Sequence, residues 1–290
     1  MACSASDRPP LGRVAILGLG LMGGSLGMAL RARSAASEVV GWNRSQEPGR
    51  RALAAGAVDR VAASPEEAAR DADVVVVAVP VERIVELARR AAAAMPTSGV
   101  VTDLGSVKAR VVAEASGALQ GRFVGGHPMA GSEESGITAA YADLYEGATW
   151  VLTPTDDSAP AAIDTVRGLA IAVGALPVVL SPEVHDRWVA AVSHLPHVAA
   201  YALAATAHEM AGTEGVQIAA GSYRDGTRVA LSDPALWAGI LLENRDAALA
   251  AMERYGAWLA GAAGALRRGE RDGLERLLRG AHEARPRCEP

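Results

Sequence analysis

The chain has 290 residues, a formal net charge of −5 and a hydrophobic fraction of 50%, enough to bury the core of one large domain or two ordinary ones. Its mild acidity, with no basic stripe, argues against a nucleic-acid partner. With aromatics at 4% the core must be aliphatic and alanine-rich, and two cysteines without metal-ligand spacing, Cys3 and Cys288, fit a reducing cytoplasm better than a disulfide framework.

The first 11 residues read as a short lead, without the charged-then-apolar pattern of a signal peptide. Residues 13–17 form a short apolar run, expected as a buried strand. The run enters Gly18-Leu19-Gly20-Leu21-Met22-Gly23, and an apolar helical stretch follows. This is G-x-G-x-x-G in its required strand–turn–helix setting, which predicts a dinucleotide site. Gly18 permits the tight turn, Gly20 admits the pyrophosphate and Gly23 allows close helix–strand packing, with the phosphates at the helix N-terminus.

Residues 38–42 give a second strand. It ends in Asn43-Arg44-Ser45, where an NAD site normally offers a carboxylate to the ribose hydroxyls. Asn43 and Ser45 can bond a phosphate and Arg44 can pair with it, so NADP is favoured over NAD. A helix is expected over 47–55, and Ser64-Pro65-Glu66-Glu67 carries a helix start with a capping box. The β-branched run 73–79 reads as a strand covered on both faces, closed by Pro80, so that Val79 and Pro80 sit at the cofactor edge. A helix over 81–94 and a strand over 99–103 follow. The alternation predicts a doubly wound parallel sheet of Rossmann type.

Just past the strand at 99–103 come Ser106 and Lys108, the only lysine in the chain. Ligands bind at that edge of an open α/β sheet, although Ser106 also suits the N-cap of a helix over 107–118. Residues 122–125 form a further strand that delivers His127 to the same edge, between Gly125-Gly126 and Gly131 and stiffened by Pro128. Two more strands are expected at 150–154 and 176–180, with a helix between them.

After residue 180 strand patterns stop, and long alanine- and leucine-rich helices are expected over 182–211, 237–263 and 271–283, with a loose tail from 285. The predicted organisation is a dinucleotide-binding domain over 12–180 and an all-α substrate-binding and dimerisation domain over 181–285. Its wide apolar faces suit a homodimer. No run of about 18 apolar residues predicts a membrane span. His185-Asp186, then Ser193-His194-Leu195-Pro196-His197, carry polar chemistry, but without the ligand set of a metal site. Tyr223-Arg224-Asp225-Gly226-Thr227-Arg228 is expected as a polar loop whose arginines suit carboxylate recognition.

Taken together, the glycine loop, Asp103 to Lys108, Gly125 to Gly131, Ser193 to His197 and Tyr223 to Arg228 followed by Ser232-Asp233-Pro234 resemble the TyrA family, the prephenate, arogenate and cyclohexadienyl dehydrogenases. The pieces occur in family order and span nearly the whole chain, as in a minimal member without a mutase or ACT domain. The resemblance implies oxidative decarboxylation of prephenate to 4-hydroxyphenylpyruvate in tyrosine biosynthesis, with hydride passing to nicotinamide as carbon dioxide leaves. Arogenate is the alternative substrate. By similarity, His127 accepts the hydroxyl proton or its hydrogen bond, Ser106 helps to orient hydroxyl and imidazole, and His197 lines the pocket. Arg228 holds the ring carboxylate, and Glu133, Asp225 and His185 fall at positions near the substrate. A neutral imidazole suits the acceptor role. A β-hydroxyacid dehydrogenase shares the glycine-rich opening but needs a lysine in the helical half, and none follows Lys108. A dinucleotide-binding sensor without turnover would have no use for His127, Ser106, His197 and Arg228 together.

Overall fold

The computed structural model describes residues 11–285. The expected lead and tail, and both cysteines, lie outside these residues except for Leu11 and Arg285. Leu11 is already part of the fold, its amide bonded to the Ala35 carbonyl at 2.8 Å.

Eight strands form one sheet in the order β3-β2-β1-β4-β5-β6-β7-β8. They are β1 (Arg13–Leu17), β2 (Glu38–Trp42), β3 (Arg60–Val61), β4 (Val74–Val77), β5 (Val100–Asp103), β6 (Phe123–Pro128), β7 (Thr149–Thr153) and β8 (Leu176–Val179). The helices between them are α1 (Leu21–Ala32), α2 (Gln46–Ala54), α3 (Pro65–Ala69), α4 (Val81–Ala94), α5 (Ala109–Leu119) and α6 (Pro160–Ala172). All four valines of β4 are buried, as a central strand covered on both faces requires. At roughly 1.5–3 kcal/mol per buried side chain, that run alone is a strong local determinant of the sheet. The Ser64 hydroxyl accepts from the Glu67 amide at 3.0 Å, so the expected N-cap forms. The Glu67 carboxylate accepts from the Ala63 amide at 2.9 Å, one residue before the Ser64 amide that a capping box would use.

The structure departs from the sequence reading in several places. The two-residue β3 was not expected; it is too short to carry a periodic signal. β7 runs antiparallel to β6, and β8 parallel to β7, so the last two strands oppose the first six; the 20 residues joining β6 to β7 form no crossover helix, only a 3-10 turn at Ile137–Ala139. Ser106 is not the cap of α5. The amides of Lys108 and Ala109 instead donate to the Asp186 carboxylate, each at 2.8 Å.

In the second half, α7 (Pro182–Val189) passes through a π-helical turn (Ala190–His194) into α8 (Leu195–Val216). Pro196 lacks an amide proton and its ring crowds the carbonyl four residues earlier, so the helix widens there rather than breaking. α8 kinks at Gly212, whose φ is 61°. The Tyr223–Arg228 stretch is not a loop: it forms α9 (Gly221–Thr227) and a 3-10 turn (Arg228–Leu231). The expected helix over 237–263 is two helices, α10 (Pro234–Glu243) and α11 (Arg245–Arg268), separated at Asn244, followed by α12 (Arg271–Ala284).

A first compact unit ends at Asn244 and a second begins at Arg245. α7 to α10 therefore belong with the sheet: Trp237 and Ile240 join the core beside Val81, Ile84 and Val85 of α4. The second unit comprises α11 and α12. The helical run Pro182–Val216 is long enough to cross a membrane, and one 18-residue window in it reaches a mean hydropathy of 1.2, where the sequence pattern predicts no span. That hydropathy comes from alanine, valine and leucine in a run that also carries His185, Asp186, His194 and His197.

Candidate active site

The site lies at the carboxyl ends of β1 and β4, the switch point of the sheet, where an open α/β fold binds ligands. Gly18 has φ of 110°, and a Cβ there would stand 2.1 Å from the Ala78 carbonyl oxygen. A Cβ on Gly23 would lie 1.9 Å from the Gly18 carbonyl oxygen. Both positions exclude any side chain. A Cβ on Gly20 would meet nothing within 4 Å. The space over Gly20 is therefore open at the N-terminus of α1, which fits a pyrophosphate held by backbone amides and the helix dipole. Leu19 is part of the core, while Leu21 and Met22 lie along the cleft with Gly20, Val79 and Pro80. Asn43 accepts from the Leu19 amide at 3.1 Å and donates to Ser45, so it braces the glycine loop. Arg44 and Ser45 are exposed, and Arg44 makes no hydrogen bond or ion pair with another described residue.

The cleft measures about 630 Å³ and joins this loop to Ser106, His127, Glu133, His197 and Arg228. Asp103, at the end of β5 and fully buried, organises the strands that carry Ser106 and His127. Its carboxylate pairs with the buried Lys108 ammonium and accepts from the Gly105 amide at 2.8 Å and the Gly126 amide at 3.1 Å. Each amide belongs to the residue just before a site side chain. Ser106 lines the cleft but makes no hydrogen bond with His127.

His127 lies at the end of β6 with its Nδ1 2.8 Å from His185 Nε2. His185 Nδ1 is 2.7 Å from Asp186 Oδ1. Burial, then the neighbouring His185, Lys108 and His194, holds the His127 imidazole well below its usual pKa, so it is a neutral base near physiological pH. His197 donates from Nδ1 to the Ser193 carbonyl at 2.9 Å, and its ring stacks on Trp237 at 3.5 Å. Burial first, and the Arg228 charge besides, lower its pKa. Arg228 donates to Glu133 at 2.7 Å across the mouth of the cleft. The Glu133 carboxyl is held below its usual range first by its own backbone amide and then by Arg228. An exposed pair of this kind is weak, so Arg228 can exchange Glu133 for another carboxylate at little cost.

Two residues expected next to substrate are not in the cleft. His185 is buried behind His127 and reaches the site only through it. Asp225 is exposed. The inward side of α9 carries Tyr223 and Thr227, and Asp225 stands about 200° around the helix from Tyr223. Asp186, Asp103, Trp237 and Asn244 were not singled out as site residues. Asn244 donates to the Asp186 carbonyl at 2.8 Å and to His194 Nδ1 at 3.2 Å. The adjacent His185-Asp186 pair and the isolated Lys108 were the signals that could have pointed to these networks. Among the described residues, no group of three or more His, Cys, Asp or Glu side chains could hold a metal ion.

A glycine loop at the switch point, sharing one cleft with a neutral histidine, defines a nicotinamide-dinucleotide-dependent dehydrogenase. Residues 26–179 match the family model of the prephenate dehydrogenase nucleotide-binding domain, and residues 181–280 that of the prephenate dehydrogenase dimerization domain. Prephenate dehydrogenase of Bacillus subtilis (strain 168) is 37% identical over 251 residues, which cover 85% of this chain and 67% of that protein. Cyclohexadienyl dehydrogenase of Zymomonas mobilis is 35% identical over 246 residues, covering 83% and 84%. The crystal structure of prephenate dehydrogenase from A. aeolicus, in complex with hydroxyphenyl propionate and NAD+, superposes with a TM-score of 0.88 at 32% identity, covering 95% of this chain and 98% of that one. The chain belongs to the prephenate dehydrogenase family.

Proposed function

We propose that this chain catalyses the oxidative decarboxylation of prephenate to 4-hydroxyphenylpyruvate, a step of tyrosine biosynthesis. The observation that carries the reading is that one cleft joins Gly20 of the dinucleotide loop to His127, His197 and Arg228. Bound nicotinamide supplies the acceptor for the hydride. His127 accepts the proton of the ring hydroxyl as carbon dioxide leaves, and aromatisation drives the reaction. Ser106 reaches the same hydroxyl from the neighbouring strand. Arg228, released from Glu133, holds the ring carboxylate through its planar fork. His197, stiffened by Trp237, closes the wall beside the ring and helps to exclude water.

Residues 181–285 are the substrate-binding and dimerisation part of this reading. Its support for a homodimer is the run of exposed apolar side chains Leu249, Met252, Tyr255 and Leu259 along α11, at the three- and four-residue spacing of a helical stripe. Neither nucleic acid nor membrane enters as a partner, and a reaction drawing on the nicotinamide pool belongs in the cytoplasm. A second reading, arogenate as substrate, is favoured by the Glu133 and Glu134 carboxylates along the cleft, which suit an ammonium group.

We favour NADP over NAD, because exposed, unpaired Arg44 beside Ser45 offers a 2′-phosphate its partners where a carboxylate would repel it. The test is purified protein with prephenate or arogenate and with NAD or NADP, in four combinations, following reduced nicotinamide. No turnover in any combination overturns the reading. Arg44→Ala should impair use of NADP more than of NAD, and equal effects would remove Arg44 from the choice.

A further inference from the structure

We infer that His185 and Asp186 are positioning residues that set the tautomer of His127, keeping its Nε2 bare and directed to the cleft. The inference rests on the reading of His127 as the proton acceptor. The chain of hydrogen bonds starts at Asp186. Its Oδ1 takes the Lys108 amide and its Oδ2 the Ala109 amide, both at 2.8 Å, at the N-terminus of α5. A side chain receiving two amide donors is present as an acceptor, so the 2.7 Å contact from His185 Nδ1 to Oδ1 must be a donation from the imidazole. A neutral His185 then has no proton on Nε2. The 2.8 Å contact between that nitrogen and His127 Nδ1 must therefore be a donation from His127. With its one proton on Nδ1, His127 offers a lone pair at Nε2, which makes no bond to another described residue.

The network is rigid as well as directional. His185 and Asp186 are buried, and Asn244 fixes the same turn by donating to the Asp186 carbonyl at 2.8 Å. When Nε2 takes the substrate proton, the imidazolium keeps its Nδ1 proton on His185, whose own donation to the Asp186 carboxylate makes it a better acceptor. The Asp186 charge thus stabilises the cation through one intervening ring, with no proton delivered to the carboxylate. Burial and the neighbouring His185, Lys108 and His194 all act against a charge on His127, and the Asp103 carboxylate nearby is engaged by Lys108 and two amides. The Asp186 carboxylate is the anion at the end of the hydrogen-bond chain from His127.

The test is nitrogen NMR on the full-length protein labelled with 15N histidine, with the His127 signals assigned by their loss in His127→Asn. The expected result is a proton on Nδ1 and a bare Nε2 in the wild type. In His185→Leu, which lacks an acceptor, the proton should pass to Nε2. That variant should lose about 10–100-fold in kcat, the scale of loss when the hydrogen-bond partner of a metal-ligating histidine is removed, with little change in KM for dinucleotide. His185→Gln, whose amide oxygen can stand in for Nε2, should recover part of the loss. A wild-type His127 protonated on Nε2, or equal kcat in the two variants, overturns the proposal. If His185→Leu does not fold, the wild-type spectrum decides. The spectrum needs no substrate, so its outcome is separate from that of the turnover assay.

Discussion

Replacing Lys108 with methionine tests how the two strands bearing the site are held. Methionine keeps most of the side chain's volume and removes the ammonium. Asp103, with no exposed surface, is then left with the Gly105 and Gly126 amides as donors. Stripping one partner from a buried ion pair costs about 3–5 kcal/mol. The two retained amides put this case near ~3 kcal/mol. With a urea dependence of about 2–3 kcal/mol/M, the midpoint of unfolding should fall by about 1 M. Asp103→Asn in the same chain removes the orphaned charge, so the double variant should be more stable than Lys108→Met alone. Turnover should fall with stability, since the amides that Asp103 grips precede Ser106 and His127. Urea titrations of wild type, single and double variants give the comparison. A Lys108→Met loss below about 1 kcal/mol, or a double variant no better than the single, would refute the argument that the pair holds these strands.

Three further outcomes are expected. His127→Asn can still donate to His185 but has nothing in place of Nε2, so kcat should fall about 10²–10⁴-fold, the size of a general-base contribution; near-normal turnover excludes the role. Arg228→Ala should raise KM for the acidic substrate about 30-fold or more with the melting temperature little moved, and an unchanged KM removes Arg228 from carboxylate binding. For acid stability the sign follows from His194, whose pKa burial lowers from 6.5 to about 4. The unfolded chain takes up a proton there below pH 6.5 while the folded chain does not, so stability is full above that pH and is lost as pH falls towards 4. At about 1.4 kcal/mol per pKa unit, His194 withdraws on the order of 3 kcal/mol over that window. His194→Gln should flatten the dependence between pH 6.5 and 4, and an unaltered profile contradicts the assignment.

What could be read from the sequence was local. The glycine loop declares itself because steric exclusion at Gly18 and Gly23 acts within a few residues. The β4 valines and the Ser64 cap likewise carry their own signal. His127 and Arg228 were legible as chemistry in a glycine frame and in an arginine-rich segment, although the latter turned out helical. What was hidden depends on contacts far apart in sequence. Asp186 meets Lys108 across 78 residues and His185 meets His127 across 58. No periodicity encodes such meetings. His185 was accordingly expected beside the substrate, when it stands one imidazole further back. Asp225 was misplaced for a different reason: without the helical phase of α9, its outward direction could not be read.

Helical phase also governs the relation between His185 and His197. The two stand 12 positions apart in one continuous helical run, and an unbroken α-helix would set them about 120° apart around the axis. The π-helical turn at Ala190–His194 absorbs one residue without advancing the screw, which brings the separation to roughly 20°. One side of a single helix can therefore serve both the buried imidazole behind His127 and the stacked imidazole of the cleft wall. Loss of a residue within that turn, with the run closing to a plain α-helix, preserves the alignment, whereas a change of length in the regular turns on either side destroys it.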